Sequence, residues 1–412
     1  MKYQRSIINQ LLLIVLITSG ILSGCNRPEA RSTERQPYLV VLSMDGFRWD
    51  YADKAATPNL DGIAREGVKA RAMIPSFPTK TFPNHYTMAT GLYPDHHGIV
   101  LNSFYDPSTD RYYRVSNREA VGDGSFYGGE PVWVTAEKQG VKAASLFWVG
   151  AEAEIKGVRP SIWKRYDHHM PYGDRIDTVI SWLQRPGPQR PHLIMWYFDQ
   201  PDSQGHRTGP DSPEIVQKIE YLDSLLGVFL NRLKKLPIAG EINFIVTSDH
   251  GMENISGERV VMLDDYLPDE EIDTILGSNP VWLIRAKPEA REQLAQKLSE
   301  IPHIHAWPTG HLPERLHYGN NPRTMDFVAV ADSSWSLFYE KQGKYFGGTH
   351  GYDNANKDMF TIFYGIGPAF KNGYSQPVFP NISLYPLMCR ILGLKAAPND
   401  GDIKDVSGML TR

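Results

Sequence analysis

Aspartate and histidine residues follow the ends of several apolar runs in this sequence. In one case a histidine comes just before such a run. Six residues share this placement: Asp45, Asp202, His206, Asp249, His250 and His350. Several carboxylates brought close together would repel one another unless a cation neutralised them. Aspartate and histidine in a set without cysteine suit Zn²⁺ or a similar divalent ion. Six ligands are enough for two ions, and two metals about 3.5–4 Å apart form the usual clamp for displacement at phosphorus.

Taken singly, each of these residues has a simpler interpretation. An aspartate after a strand is more often a helix cap, and a histidine is more often a hydrogen-bonded core residue. The combination of all six, most of them soon after buried strands, favours a metal site.

A loop at residues 75–86 holds a candidate nucleophile, Thr81. Three prolines stiffen this loop, because proline fixes φ, and hydroxyl side chains lie between them. A hydroxyl at the start of a helix faces the positive end of the helix dipole, where anions are favoured. Metal coordination would favour the alkoxide of this threonine, which is a poor nucleophile at its free pKa. The alternative, on the loop alone, is that Thr81 is an ordinary helix N-cap.

Buried strands that alternate with amphipathic helices must position these groups. Continuous apolar runs, typical of strands buried on both faces, are residues 38–43, 143–148, 193–198, 242–247 and 360–364. Helical spacing is clearest at residues 213–236 and weaker at residues 85–90, 176–183, 288–298 and 383–392. This order predicts an α/β fold with a largely parallel central sheet and helices on both faces. Ligands of such sheets bind beyond the carboxyl ends of the strands, where the acids and histidines would meet.

The predicted organisation is a catalytic α/β domain, residues 38–251 and 347–412, with an inserted lobe, residues 252–346. The lobe segment combines a strand-like run, a helix and a loop-rich stretch. The 412 residues are 22% charged and 41% hydrophobic, which is globular composition, and they contain only two cysteines, which excludes a disulfide framework. The formal net charge is −4 and there is no arginine-rich tract, so the sequence does not indicate a protein that binds duplex nucleic acid.

The first 24 residues are predicted to be a lipoprotein signal peptide. Lys2 and Arg5 precede a short apolar run, and LSGC at residues 22–25 resembles a bacterial lipobox, so that Cys25 would carry lipid. Residues 25–37 are polar, contain two prolines and are predicted to be a tether. We expect an exported protein anchored in the outer membrane and facing the periplasm if the host is Gram-negative. The alternative is an ordinary signal peptide or an uncleaved anchor, and an unmodified Cys25 in the mass spectrum of the N-terminal peptide would exclude lipidation.

The sequence resembles the nucleotide pyrophosphatase/phosphodiesterase family within the alkaline phosphatase superfamily. The resembling stretches follow family order and are PTKTFPNH (78–85), TGLYP (90–94), HGI (97–99), PDSQGH (201–206), SDHGM (248–252) and GTHG (348–351). The first stretch is very specific, whereas the last alone would be weak. Together they span nearly the whole chain that would follow the signal peptide.

The resemblance implies two Zn²⁺ ions as cofactors. One ion would be held by Asp202, His206 and His350. The other ion would be held by Asp45, Asp249 and His250, with Thr81 facing it as nucleophile.

The resemblance also implies a substrate-binding set. Asn102 matches the family's asparagine that binds a phosphate oxygen, with the backbone N–H of Phe82 as its partner. Phe82 matches the aromatic residue that packs on the nucleoside. The opposing aromatic residue is expected at Trp163, where the family often has tyrosine, and Tyr166 is the other candidate.

The implied activity is hydrolysis of phosphodiester or pyrophosphate bonds, chiefly of nucleotides, which releases a nucleoside monophosphate. Thr81 would attack phosphorus in line with the leaving group and form a phospho-threonine, which water activated on the other zinc would hydrolyse. Zinc, Asn102 and the Phe82 N–H would meet the charge on the equatorial oxygens.

Four other functions are compatible with parts of this pattern. A phosphodiesterase of choline-type lipid head groups is the main alternative, since related enzymes use the same metals. A phosphomonoesterase would need further cations, and Lys80 is the only one nearby in sequence. A sulfatase would need arginine where residues 76–80 have lysine. A binding module would show no EDTA-sensitive hydrolysis of an aryl phosphodiester.

Overall fold

The computed structural model describes residues 36–340 and 345–411. The predicted signal peptide, Cys25 and nearly all of the predicted tether lie outside the described residues. Within the described part of the chain, no helix combines the length and the apolarity needed to cross a membrane.

The described residues form twenty strands. They are β1 (Tyr38–Met44), β2 (Val68–Ala70), β3 (Met73–Ile74), β4 (Ser103–Asp106), β5 (Arg111–Arg114), β6 (Ala143–Leu146), β7 (Ile162–Lys164), β8 (Leu193–Phe198), β9 (Ile242–Thr247) and β10 (Glu253–Ile255). The second half contains β11 (Val260–Met262), β12 (Ile272–Ser278), β13 (Val281–Ala286), β14 (Ile304–Pro308), β15 (Phe327–Ala331), β16 (Ser336–Phe338), β17 (Gly347–Thr349), β18 (Phe363–Ile366), β19 (Tyr374–Gln376) and β20 (Phe379–Pro380).

Along the chain, most α-helices of the described residues come between two strands of the central sheet. They are α1 (Tyr51–Lys54), α2 (Pro58–Glu66), α3 (Thr81–Thr90), α4 (Pro94–His97), α5 (Arg118–Val121), α6 (Val132–Lys138), α7 (Tyr172–Leu183), α8 (Asp202–Thr208), α9 (Pro213–Leu233), α10 (Arg291–Glu300), α11 (Leu384–Ile391) and α12 (Lys404–Ser407).

An eight-stranded sheet forms the centre of the molecule, in the order β19-β2-β18-β9-β1-β8-β6-β7. The five strands from β9 to β7 run parallel to their neighbours, whereas β18 is antiparallel to both β9 and β2. The predicted α/β fold with a largely parallel sheet is therefore confirmed.

Successive residues of β1 show how both faces of this sheet are covered. Leu39 and Val41 pack in a core cluster with α3, α6 and α11, whereas Val40 and Leu42 pack in a second cluster with α2, α7 and α9. Side chains alternate across a strand, so a continuous apolar run is what burial on both faces requires.

The helix that carries the candidate nucleophile begins earlier than the sequence pattern predicts. The pattern places a helix at residues 85–90, whereas α3 begins at Thr81 and has Lys80 as its N-cap. The alternative role of Thr81 as an N-cap is therefore wrong. Pro83 lies in the first turn, where the backbone N–H groups have no intrahelical partner and proline is tolerated.

Other predicted elements are displaced by a few residues at their ends. The strand predicted at residues 360–364 is β18 (Phe363–Ile366), and the helix predicted at residues 288–298 is a 3₁₀ turn followed by α10. The long helix predicted at residues 213–236 is α9, which has the predicted N-cap, Ser212, and ends at Leu233.

The segment between β9 and β18 carries a second sheet of four antiparallel strands, in the order β12-β13-β15-β14. Leu294 and Leu298 of α10 pack against one face of this sheet. β10 and β17 pair with each other, with Glu253 opposite Thr349, so the chain enters and leaves this segment through adjacent strands. The proposed lobe boundaries at residues 252 and 346 stay predictions.

Arg323 fastens this segment to the part of the chain that follows α3. Its Nη1 donates to the carbonyl oxygens of Gly98 (2.7 Å) and Phe126 (2.6 Å), and its Nη2 donates to Asp106 Oδ2 (2.6 Å). The guanidinium also lies 5.1 Å from the ring centre of Phe104. Both members of the ion pair are largely buried, so each depends on the other for its charge balance.

We expect Arg323→Leu to lower the free energy of unfolding by about 3 kcal/mol or more, because it leaves the Asp106 carboxylate and two carbonyl oxygens without their donor. Arg291→Leu is the control, since the Arg291 side chain is exposed and its ion pair with Asp326 should contribute about 1 kcal/mol or less. Urea denaturation midpoints measure both changes. Equal midpoints for the two variants would contradict a stabilising role for the buried contacts.

Candidate active site

Three neighbouring strands, β8, β1 and β9, deliver the predicted aspartates to one edge of the sheet. Asp45 directly follows β1, Asp249 lies two residues after β9, and Asp202 begins α8. The backbone N–H of Asp202 donates to the carbonyl oxygen of Asp45 at 2.9 Å. Gly46 has φ +67°, and a Cβ there would lie 2.8 Å from the Asp202 Cα, so glycine permits this close approach.

His250 lies between two of these carboxylates. Its Nε2 is 3.0 Å from Asp249 Oδ2 and 3.3 Å from Asp45 Oδ1. Burial, together with the charges of Asp249 and Asp202, holds the pKa of Asp45 well above its ordinary value. Burial also acts to raise the pKa of Asp249, but His250 and His85 outweigh it and hold that pKa well below the usual range.

The other two predicted histidines approach the third carboxylate. The Nε2 atoms of His206 and His350 lie 3.4 and 3.7 Å from Asp202 Oδ1. The rings of His250 and His350 stack with their centres 3.4 Å apart, so the two predicted ligand sets adjoin. Burial and the neighbouring His250 hold the pKa of His350 well below its ordinary value, which favours the neutral ring.

The ring orientations of the three histidines suit metal ligands. Nδ1 of each ring lies 2.8–2.9 Å from a backbone carbonyl oxygen: Gly348 for His206, Gly251 for His250 and Thr79 for His350. A carbonyl only accepts, so each Nδ1 donates, and Nε2 is the ring atom that faces the carboxylates and could bind a metal.

Three buried carboxylate oxygens provide a test of whether a cation fits. Asp45 Oδ1, Asp202 Oδ1 and Asp249 Oδ2 are buried, and histidine nitrogens lie 3.0–3.7 Å from them. Three carboxylates this close together repel one another unless positive charge lies between them. The donor set therefore fits one or more divalent cations.

Distance alone groups the ligand atoms differently from the family-based prediction. Two triads have all their ligand atoms within 4.8 Å of one another: Asp202, His250 and His350, and Asp45, His85 and Asp249. The assignment of three ligands to each ion, and the identity of the ion, stay predictions.

Thr81 and Asn102 lie beside this cluster. The Oγ1 of Thr81 is 3.1 Å from His250 Nε2. The backbone N–H of Phe82 donates to Asn102 Oδ1 at 3.1 Å, so the two predicted phosphate-binding groups contact each other. Asn102 directly precedes β4, and the hairpin of β4 and β5 holds it in place.

The predicted nucleoside-binding aromatics occupy different settings. Phe82 is partly exposed and meets Tyr113 edge-on at 6.4 Å. Trp163 is 39% exposed, and strand register places it level with Val41 of β1. Tyr166 is partly buried, with its ring centre 6.2 Å from that of Tyr197.

Three residues near the cluster escaped the sequence analysis as site residues. The hydroxyl of Tyr197 donates to Asp45 Oδ2 at 2.5 Å, and His85 contacts Asp249 Oδ2 at 3.3 Å. Lys80 donates to the carbonyl oxygen of Asn279 at 2.7 Å, and burial lowers its pKa to about 7. Tyr197 belongs to an apolar strand run, and its position opposite Ser43 of β1 is visible only in the structure.

Most of the chain matches a family of known enzymes. Residues 39–353 match the family described as type I phosphodiesterase / nucleotide pyrophosphatase. Human ectonucleotide pyrophosphatase/phosphodiesterase family member 1 is 37% identical over 391 residues, which are 91% of this chain and 42% of that protein. Human member 5 is 34% identical over 397 residues, 96% of this chain and 83% of that protein. The chain thus spans less than half of member 1 and most of member 5.

Two solved structures have the same fold. Mouse family member 5, an inactive threonine-to-alanine variant in complex with AMP, has a TM-score of 0.87 at 35% identity and covers 92% of this chain and 100% of its own. Human member 5 has a TM-score of 0.88 at 34% identity, with the same two coverages.

We expect Asp202→Asn to raise the melting temperature of the cation-free protein, because it removes a charge that repels Asp45. The same change should reduce the increase in melting temperature that a divalent cation gives, because it removes a ligand. In the unsubstituted protein this increase should shrink as the pH falls, since Asp45 holds its proton more tightly than an ordinary carboxyl.

Thermal unfolding in EDTA and in added zinc measures these effects. The exposed Asp264→Asn is the matched control and should alter neither value. A lower melting temperature for Asp202→Asn in EDTA would contradict the proposed repulsion.

Proposed function

Because this chain belongs to the type I phosphodiesterase / nucleotide pyrophosphatase family, we propose that it hydrolyses phosphodiester or pyrophosphate bonds of nucleotides and releases a nucleoside monophosphate. The observation that carries the proposal is the Thr81 hydroxyl, 3.1 Å from His250 Nε2 at the edge of the carboxylate–histidine cluster. The mouse relative supports the substrate class, since it is inactive with a threonine replaced by alanine and was obtained with AMP.

We propose two zinc ions as cofactors, because the donor set contains aspartate and histidine without cysteine. Asp202, His206 and His350 would hold one ion, and Asp45, Asp249 and His250 would hold the other, with Thr81 facing the second. When bound, such ions neutralise phosphate charge and lower the pKa of a nearby hydroxyl or water.

Thr81 supplies the nucleophile in this proposal. Its Oγ1 bonds to phosphorus while the bond to the leaving oxygen breaks, and water then cleaves the phospho-threonine and restores the hydroxyl. The Phe82 N–H lies at the start of α3, whose dipole favours negative charge. Asn102 accepts that N–H through Oδ1, so its amide nitrogen is the group of this pair that can donate to a phosphate oxygen.

We expect Thr81→Ala to lower kcat for an aryl phosphodiester by about 1,000-fold or more, with bound metal unchanged, because the covalent step is lost. Thr81→Ser should keep part of the activity and carry phosphate on the new hydroxyl. Thr90→Ala is the control at the other end of α3, where Oγ1 donates to the Tyr86 carbonyl, and should keep kcat. A Thr81→Ala variant that retains most of the activity would exclude Thr81 as nucleophile.

The nucleoside is proposed to stack between Phe82 and Trp163, with Tyr166 as the alternative partner. We expect Trp163→Ala to raise KM for 4-nitrophenyl thymidine phosphate about tenfold, because stacking of a base on an aromatic ring contributes about 1–3 kcal/mol. KM for methyl 4-nitrophenyl phosphate, which has no nucleoside, should stay constant.

Tyr112→Ala, which removes an exposed aromatic ring from β5, is the control for that comparison. A KM effect in Tyr166→Ala but not in Trp163→Ala would move the stacking role to Tyr166. Faster turnover of glycerophosphocholine than of nucleotides would support the lipid head-group alternative instead.

The proposed location rests on the sequence alone. Cleavage after residue 24 and lipid on Cys25 would place the catalytic domain outside the cytoplasm, tethered by residues 25–37. Membrane attachment through this lipid stays a prediction.

A further inference from the structure

His85 is a buried imidazole that the proposed mechanism does not use. It lies in α3, four residues after Thr81, and its side chain is fully buried. Nδ1 lies 3.0 Å from the carbonyl oxygen of Thr81 and 3.3 Å from Asp249 Oδ2, and Nε2 lies 2.9 Å from Ser43 Oγ. The ring thus contacts the helix of the candidate nucleophile, the end of β9, and β1 two residues before Asp45.

Aromatic neighbours hold this imidazole in its orientation. Trp148 and Tyr197 each meet the ring at 5.2 Å between centres and 80° between planes. The indole Nε1–H of Trp148 also donates to the backbone carbonyl of His85 at 3.1 Å. In a close-packed interior the ring cannot change rotamer without displacing these neighbours.

The partners of the two ring nitrogens assign the proton to Nδ1. The Thr81 carbonyl and the ionised Asp249 carboxylate only accept, so Nδ1 must donate, and Nε2 accepts the hydroxyl proton of Ser43. A ring with this tautomer has no lone pair left for a metal, although His85 lies within ligand distance of Asp45 and Asp249.

We propose that His85 is a positioning residue that fixes the nucleophile-bearing end of α3 against the metal-binding carboxylate Asp249. Its Nδ1–H spans the Thr81 carbonyl and the Asp249 carboxylate, so it sets the distance between the Thr81 hydroxyl and the cluster around His250. A displacement of about 1 Å at the reacting atoms can lower a rate about 100-fold. The inference rests on the proposed role of Thr81.

The test compares His85→Ala with His85→Asn in the full-length protein. Asparagine places its amide nitrogen near the position of Nδ1, so it can still donate to the Thr81 carbonyl while losing the contact with Ser43. His97→Asn is the matched control, because His97 is equally buried and also contacts α3, through Thr87 Oγ1 at 2.9 Å.

We expect His85→Ala to lower kcat for an aryl phosphodiester about 100-fold, with KM and bound zinc per chain unchanged. His85→Asn should recover about tenfold of that loss, whereas His97→Asn should change the melting temperature but alter kcat by no more than about twofold. Kinetics, elemental analysis and thermal unfolding of the same samples provide the three measurements.

Each contrary result overturns the inference in a recognisable way. Loss of one metal ion per chain in His85→Ala would make His85 a ligand. An unchanged kcat, or equal losses in His85→Ala, His85→Asn and His97→Asn, would leave only a structural role. If His85→Ala does not fold, His85→Asn and Ser43→Ala carry the test, and kcat values equal to the unsubstituted protein in both would contradict it.

The proposed function fails separately from this inference. An unsubstituted protein that hydrolyses no phosphodiester, or an active Thr81→Ala, would reject the function itself. Activity that depends on Thr81 but not on residue 85 would reject only the positioning role.

Discussion

Mutual repulsion among three carboxylates at one edge of the sheet is the constraint on which the rest of this structure depends. Asp45, Asp202 and Asp249 each have one buried oxygen that faces histidine nitrogens at 3.0–3.7 Å. Elsewhere the same chain pairs a buried carboxylate with a cation, as Asp106 shows with Arg323. Asp106 therefore stabilises the fold through its ion pair. The three aspartates of the cluster are instead held in an unfavourable arrangement until a cation neutralises them.

Rigid strands and backbone hydrogen bonds keep these carboxylates and the neighbouring histidines in place. Parallel strands β8, β1 and β9 end at one edge, and the backbone hydrogen bond between Asp202 and Asp45 joins two of their loops directly. Backbone carbonyls fix one nitrogen of each histidine, and Tyr197 fixes the second oxygen of Asp45. Because the three histidines and Asp45 are anchored by their non-ligand atoms, their remaining atoms have few conformations in which to avoid one another.

The sequence locates the residues that gather in the carboxylate–histidine cluster better than it locates the residues that support them. β8 and β9 lie at the predicted residues, because strands buried on both faces leave continuous apolar runs, and their ends locate Asp202 and Asp249. The sequence pattern misses the start of α3 because Pro83 normally interrupts a helix, although proline is tolerated in the first turn. Tyr197 and His85 contact residues that are distant in the chain. A hydrophobic run or a short motif does not indicate which side chain will lie opposite such a residue. Strand register places Tyr197 and the packing of α3 places His85, and residue spacing alone supplies neither.

The paired strands β10 and β17 join the two ends of the segment that carries the second sheet. They bring Glu253 opposite Thr349, so the two ends of a segment of nearly one hundred residues are joined by a local hydrogen-bond ladder, and His350 comes immediately afterwards. The ladder therefore fixes where His350 begins whatever the length of the segment, whereas Arg323 and Asn279 join the interior of the segment to the rest of the chain. A replacement segment that keeps those two contacts would alter the surroundings of the carboxylate–histidine cluster and leave the cluster itself in place.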